Sequence, residues 1–450
     1  MWERFSYYGM RALLVLYMVK ELTFSTERAG NIYGLYTGLV YLTPLIGGYI
    51  ADRYIGQKNS IIIGGILMML GHFAIAVPHL SFFYIALALL IIGNGFFKPN
   101  ISTIVGQLYG ENDPRRDGGF TIFYMGINLG AFLSPLVCGT LGEKIGFHYG
   151  FASAGIGMLF GLLIFLWGQN RFIKELGNKP ISCHCKEVES LKELTIAASC
   201  HSEGFSPKNL SVLESKPKDH SGQILLSAQD DKPITKEEKQ KIAVIFILMF
   251  FSIFFWASFE QAGSSMTLFA DRSTDRMIPF INKVIPVSWF QSVNPLIIML
   301  LAPLFSKLWL DLADINKNPS TPVKFAIGLI LISIGFLVMV AASSFAETSK
   351  VSFFWLIGVY FFHTVGELCI SPVGLSVVTK LAPVKFASLL MAVWFLSSFF
   401  ANSAAGFFAG SYDSLKTTEF FIIPALITGI SGLIMFLISK HVKKWMHGVD

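Results

Sequence analysis

The sequence predicts an all-α membrane protein, with twelve spanning helices arranged as two six-helix bundles. Three observations carry that prediction. The 450 residues are 53% hydrophobic and only 14% charged, with a mean hydropathy of +0.59. A soluble chain carries about a quarter charged residues, so lipid must solvate much of the outside. Twelve apolar segments approach the roughly 20 residues that a bilayer crossing needs. One long polar stretch divides them six and six.

The predicted spans are 3–22, 30–52, 59–77, 81–107, 119–140 and 145–168, then 242–270, 286–310, 323–343, 351–379, 386–410 and 418–439. The N-terminal bundle is therefore 1–168 and the C-terminal bundle 242–450. Between them, 169–241 is rich in Lys, Glu, Ser and Asp and too polar to bury enough apolar area to offset its ordering entropy. It reads as a cytoplasmic linker whose last residues, 234–241, run into helix 7. Lys and Arg are more frequent in the loops that face inward when both termini are cytoplasmic, a weak bias to which the linker adds.

The halves carry a faint internal repeat. Helix 4 has Lys98-Pro99-Asn100-Ile101-Ser102-Thr103-Ile104-Val105, and helix 10 has Ser371-Pro372-Val373-Gly374-Leu375-Ser376-Val377-Val378. A proline inside a membrane helix frees a carbonyl that neighbours or a cavity must satisfy. Prolines in matching places of two halves point to a site between them.

Net charge is +6, but no basic stripe with interleaved aromatics marks a nucleic-acid groove. Cys138, Cys183, Cys185, Cys200 and Cys369 form no secreted disulfide framework, and Cys138 and Cys369 lie in apolar segments as small core residues. The first residues lack the basic region, short apolar core and cleavage site of a signal peptide and read as a retained helix.

Charges at membrane depth are costly and face a cavity or a partner. Helix 1 has Glu3, Arg4 and Arg11, helix 4 has Lys98, helix 7 has Glu260 and helix 10 has Glu367. The bases belong to one half and two of the acids to the other. Arg4, Tyr7, Tyr8 and Arg11 fall on one helical face at i, i+3, i+4 and i+7. Thr121, Tyr124 and Asn128 make a stripe on helix 5; Trp256 and Glu260 stand one turn apart on helix 7, as do His363, Glu367 and Ser371 on helix 10. Asn294-Pro295 interrupts helix 8, and Trp394 lies mid-way along helix 11. A polar cavity between the bundles accounts for all of these stripes. Static ion pairs that only fix packing would resist rocking of one half against the other, unless protonation of a carboxylate can break them. His363 reads as a packed, hydrogen-bonded imidazole before it reads as a proton relay.

Several motifs, in order along nearly all of the chain outside the linker, resemble the proton-dependent oligopeptide transporter family of the major facilitator superfamily. Glu3-Arg4-Phe5-Ser6-Tyr7-Tyr8-Gly9 is similar to the end of its ExxERFxYYG motif. GNGFFKPNIS at 93–102, RRDGGFTIFYMGINLGA at 115–131, FWASFEQAGSS at 255–265, WFQSVNP at 289–295, GELCISPVGLS at 366–376 and MAVWFLSSF at 391–399 resemble further signatures. The resemblance implies the major facilitator fold and a symporter that imports di- and tripeptides with protons by alternating access. It implies that Arg4 and Lys98 attract the peptide carboxylate, which suits the planar fork of arginine. Glu367 and Asn294 would receive the amino group, and Tyr7, Tyr8, Tyr41, Tyr124, Asn128, Ser371 and Trp394 would line the pocket. Glu3, Arg11, Glu260, Lys98 and Glu367 would couple protons and gate, with Arg11–Glu260 and Lys98–Glu367 as pairs between bundles. Asp52 and Arg53, in Gly48–Lys58, resemble a cytoplasmic loop latch.

The chain departs from the family pattern twice. The motif's first glutamate would stand three residues before Glu3, ahead of Met1; a helix beginning at the charged motif would be short, which favours a start assigned too late. The two extra helices of many bacterial relatives are replaced by the polar linker. Its Cys183-His184-Cys185 and Cys200-His201 follow no standard zinc spacing, so no metal is expected.

No cofactor is implied beyond protons as coupling ion, and the partners implied are peptide substrates and the bilayer of the plasma membrane, the inner membrane in a bacterium. The runner-up is a same-fold transporter of another solute, such as histidine, nitrate or a drug-like amphiphile. Glu367 favours an amine-bearing substrate over a simple anion. A membrane enzyme would need a nucleophile–base pair or an intramembrane metal cluster, and the sequence offers neither. Opposite charges divided between halves suit gates better than the continuous lumen of a channel.

Overall fold

The computed structural model describes residues 1–109, 113, 115–173, 176–177, 234–278, 282–383 and 386–449. Twelve long helices follow the predicted spans. They are α1 (Trp2–Lys20), α2 (Thr26–Ile50), α3 (Gln57–Ile75), α4 (Leu80–Gln107), α5 (Arg116–Ser134) and α6 (Phe147–Phe172), then α7 (Lys236–Phe259), α8 (Val293–Asp314), α9 (Thr321–Ala346), α10 (Phe354–Leu381), α11 (Ala387–Gly410) and α12 (Thr417–Trp445). Eleven of the described spans are long and apolar enough to cross a membrane on composition alone. The exception is α1, whose 19 residues include Glu3, Arg4, Arg11 and Lys20; it is admitted because its neighbours bury it almost all round.

The helix ends differ from the predicted spans where polar chemistry extends a helix beyond its apolar run. α7 begins at Lys236 because Thr235 and Glu238 form a reciprocal capping box, Thr235 Oγ1 accepting the Glu238 N–H at 3.2 Å and the Glu238 carboxylate accepting the Thr235 N–H at 2.8 Å. α12 continues to Trp445 through basic residues that suit a helix C-terminus. The linker's Cys183, His184, Cys185, Cys200 and His201 lie outside the described residues.

Among the described residues, α5, α7 and α8 each meet a turn of another helical type, as α2 does at its end. α5 passes at Pro135 into a π-helical turn (Pro135–Gly139) and then a last α-turn (Thr140–Lys144), since proline cannot donate to the ladder. α7 passes into a 3-10 turn (Glu260–Gly263) and a short continuation (Ser265–Arg272). α8 is preceded by a 3-10 turn (Val287–Ser292).

α1–α6 pack as one bundle and α7–α12 as the other, and the bundles meet along two seams, α2 against α11 and α5 against α8. On the first seam the backbones nearly touch. A Cβ on Gly34 would lie 2.6 Å from Gly406 Cα, and one on Gly30 2.6 Å from Gly410 N. Small residues permit such approach where lipid supplies no hydrophobic drive between helices. Short strands β1 (Thr274–Asp275), β2 (Met277–Ile278), β3 (Lys283–Val284) and β4 (Val351–Ser352) pair β1 with β4 and β2 with β3 at the end where α1 finishes and α8 begins.

That end is closed. Lys20 Nζ meets Asp271 Oδ1 at 2.6 Å, Arg272 Nη1 meets Asp413 Oδ1 at 2.6 Å, and Thr26 bonds Asp413, each bridge joining the two halves or bracing the junction. Along α5 the interior opens toward the opposite end: Asn128 is 6% exposed, whereas Tyr124, one turn earlier, is 43% exposed.

Candidate functional site

A cavity enclosing about 1020 Å3 of empty volume, counting its open mouth, lies between the bundles at the level of the broken helices. The N-terminal half contributes Tyr8, Arg11, Tyr41, Tyr124 and Asn128. The C-terminal half contributes Trp256, Glu260, Asn294, Glu367 and Ser371. Their stripes follow from helical spacing, as i and i+4 positions share a face.

The deepest feature is an ion pair between the halves. Arg11 Nη2 donates to Glu260 Oε2, and Arg11 Nε donates to Tyr33 Oη at 2.7 Å. Both charged side chains are nearly buried, 9% and 5% exposed. The 3-10 turn explains the placement, since it ends α7 at Glu260 and turns the carboxylate onto α1. Removing either partner would strand a charge at membrane depth, which is strongly unfavourable.

The opposite wall is organised differently. Glu367 Oε2 accepts from Asn294 Nδ2 at 2.8 Å, and the same amide donates to Thr364 Oγ1 at 3.0 Å. The interruption at Asn294 thus presents a polar amide, fixed by two acceptors, beside a carboxylate. On the N-terminal side Lys98, which is not among the cavity's lining residues, rests its ammonium 3.9 Å above the Tyr41 ring centroid, a cation–π contact. The expected Lys98–Glu367 pair is therefore not formed in this state: the two groups are engaged by partners of their own halves.

Some predicted residues stand behind the wall. Arg4 Nε is 3.1 Å from Glu3 Oε2, and neither lines the cavity. Tyr7 is buried behind Tyr8, their rings meeting edge-on at 5.2 Å. The Tyr7 hydroxyl and Glu3 Oε1 are buried without a hydrogen-bond partner among the described residues. Trp394 corrects the expectation most clearly. It fills the notch left by Gly374 on α10, where a Cβ would lie 2.7 Å from its Cζ2, and so packs within the C-terminal bundle instead of lining the cavity. Asp52 and Arg53 sit in a π-helical turn (Ala51–Ile55) after α2, with Arg53 Nη1 donating to Tyr49 Oη at 2.8 Å.

The structure adds lining residues that the sequence did not single out. Tyr360 and Gln291 face the cavity, and no charge or repeat marks either in the sequence. His363 lines it too, held against Phe336 at 4.7 Å between ring centroids.

Two six-helix bundles closed at one end, open at the other and bridged at mid-depth by a buried ion pair define a secondary transporter of the major facilitator fold. The comparisons identify which one. The sequence profile of the POT family matches residues 58–426. The chain is 39% identical over 466 residues to the uncharacterized transporter YclF of Bacillus subtilis (strain 168), covering 100% of this chain and 93% of that one. It is 37% identical over 474 residues to a di-/tripeptide transporter of Lactococcus lactis subsp. cremoris, covering 100% and 95%. The crystal structure of a peptide transporter POT in complex with sulfate superposes with a TM-score of 0.84 at 35% identity, covering 99% of this chain and 94% of that one. The chain belongs to the POT family: it is a multi-pass membrane transporter, not an enzyme.

Proposed function

We propose that this transporter imports di- and tripeptides together with protons, by alternating access, in the plasma membrane with both chain ends on the cytoplasmic side. The observation that carries the reading is the buried Arg11–Glu260 pair between the halves, beside a cavity whose walls differ in sign. A proton delivered to Glu260 removes its charge and with it the bridge to Arg11, which frees one half to move against the other. Protons are the coupling ion, and no other cofactor enters the reading.

A peptide spans the charge difference. Its amino group matches Glu367 and the Asn294 amide oxygen, and its carboxylate is drawn toward Lys98 and Arg4 on the opposite side. Tyr8, Tyr41, Tyr124, Asn128 and Ser371 offer hydroxyls and amides to the peptide backbone, while Glu3 holds Arg4. Recognition of termini and backbone leaves side chains free to vary. Glu367 also disfavours a simple anion such as nitrate, which would gain nothing from a carboxylate in the wall. The test is uptake of labelled dialanine into proteoliposomes with and without an inward proton gradient. Accumulation above equilibrium with the gradient alone is expected; failure to take up peptide under either condition would sink the reading.

A further inference from the structure

The closed end is held by more than its ion pairs. Glu143 belongs to the N-terminal half, in the last turn after α5, and both its oxygens reach the C-terminal half. Oε2 accepts the Val287 N–H at 2.7 Å; Oε1 accepts the Ser288 N–H at 2.8 Å and the Ser288 hydroxyl at 2.6 Å. Those N–H groups open the 3-10 turn before α8, directly after Pro286, where no preceding helical carbonyl can take them. A carboxylate supplies the missing acceptors and complements the positive end of the helix.

The fit around this contact is tight. A Cβ on Gly139 would lie 1.9 Å from Ser288 Oγ, so a side chain there would push the halves apart. Trp289 Nε1 donates to Thr140 Oγ1 at 2.8 Å and Ser292 Oγ to the Phe132 carbonyl at 2.7 Å, continuing the same seam. Glu143 is 15% exposed, and Arg276, the nearby cation, stands 3.9 Å from it and nearer, at 3.5 Å, to Asp271. The bonds to the Val287–Ser288 turn, not a salt bridge, are thus the close contacts of this carboxylate.

We propose that Glu143 is the latch of the closed end, and that opening this end requires its carboxylate to leave the Val287–Ser288 turn. The inference rests on the alternating-access reading of the fold but on no particular substrate. Because the latch joins rigid seams, its loss must be felt away from Glu143, along α2 and α11. A residue that merely capped a local turn would have no such reach.

Hydrogen–deuterium exchange of the purified full-length chain in lipid nanodiscs tests this without substrate. In Glu143→Ala, exchange is expected to quicken about tenfold or more at 285–293 and also along 26–38 and 402–410, since two charge-assisted bonds and a third to a hydroxyl are lost. Exchange at 120–128, at the open end, should slow as that end closes. Quickening confined to 285–293 would overturn the proposal. Ser288→Ala, which removes one bond of three, guards against a variant that does not fold: it should shift the same four segments in the same directions by less, and an unchanged α2–α11 seam there would overturn the proposal equally. Failure of the wild type to take up peptide would count against the substrate reading and leave this pattern intact.

Discussion

The molecule carries ion pairs between or beside its halves at two depths, and they differ in everything but bond type. Arg272 and Asp413, at the closed end, are 38% and 51% exposed, whereas Arg11 and Glu260 are 9% and 5% exposed at the centre. Water and salt can replace either partner of the outer pair, so it contributes little and breaks cheaply. Neither can do so at the centre, where a lone charge has no substitute solvation. The inner pair can open only if a proton neutralises Glu260 or another charge takes its place. Depth thus separates bridges that merely hold from the one that the proposed proton coupling would use.

The strongest way to break this comparison is Glu260→Gln. The amide keeps shape but removes the proton-binding charge, leaving Arg11 as a buried cation at a cost of about 3–5 kcal/mol. Gradient-driven accumulation of dialanine in proteoliposomes should vanish, while exchange of peptide across the membrane without a gradient persists. Intact concentrative uptake would refute the role assigned to this pair.

Glu367→Gln should act on substrate instead of coupling. Loss of a charge-assisted bond to the peptide amino group, about 1.5–3 kcal/mol, raises KM by roughly tenfold to a hundredfold. A peptide with an acetylated amino terminus should show no such change between wild type and variant. Equal losses for both peptides in competition uptake would mean that Glu367 serves packing and not recognition.

Much of this centre was legible in the sequence because cost makes it so. Six charges in apolar segments had to face something, and Arg11 meets Glu260 as the family resemblance implied. What could not be read is which residues of a helical face reach the wall. Trp394 lies mid-way along an apolar span, as a lining residue might, yet Gly374 on another helix leaves the notch that takes it; only packing reveals that. Tyr7 shares a face with Tyr8 but stands one layer behind. The closed-end network was hidden for the opposite reason. Glu143, Asp271, Arg272 and Asp413 lie at span ends where charge is ordinary, so nothing in composition distinguishes a latch from a solvated loop. Helices themselves were plain from apolar length, and their ends shifted where caps such as Thr235–Glu238 extended them and where 3-10 turns took up part of predicted helices 7 and 8.

The smallest effect should come from the exposed pair. Arg272→Gln removes the 2.6 Å contact with Asp413 and a longer one, 3.4 Å, from Arg272 Nη2 to Thr26 Oγ1. Thr26 still bonds Asp413, so the junction keeps one polar link across the halves. Exposed pairs of this kind contribute about 0–1 kcal/mol, which limits the change in the balance between open and closed ends to about fivefold. Uptake of dialanine at saturating gradient should therefore remain within that factor of wild type, and the difference should shrink further as salt is raised, because screening already weakens the wild-type pair. A loss as deep as that of Glu260→Gln would show that solvent exposure does not separate the two bridges, and that the closed end depends on its charges as strictly as the centre does.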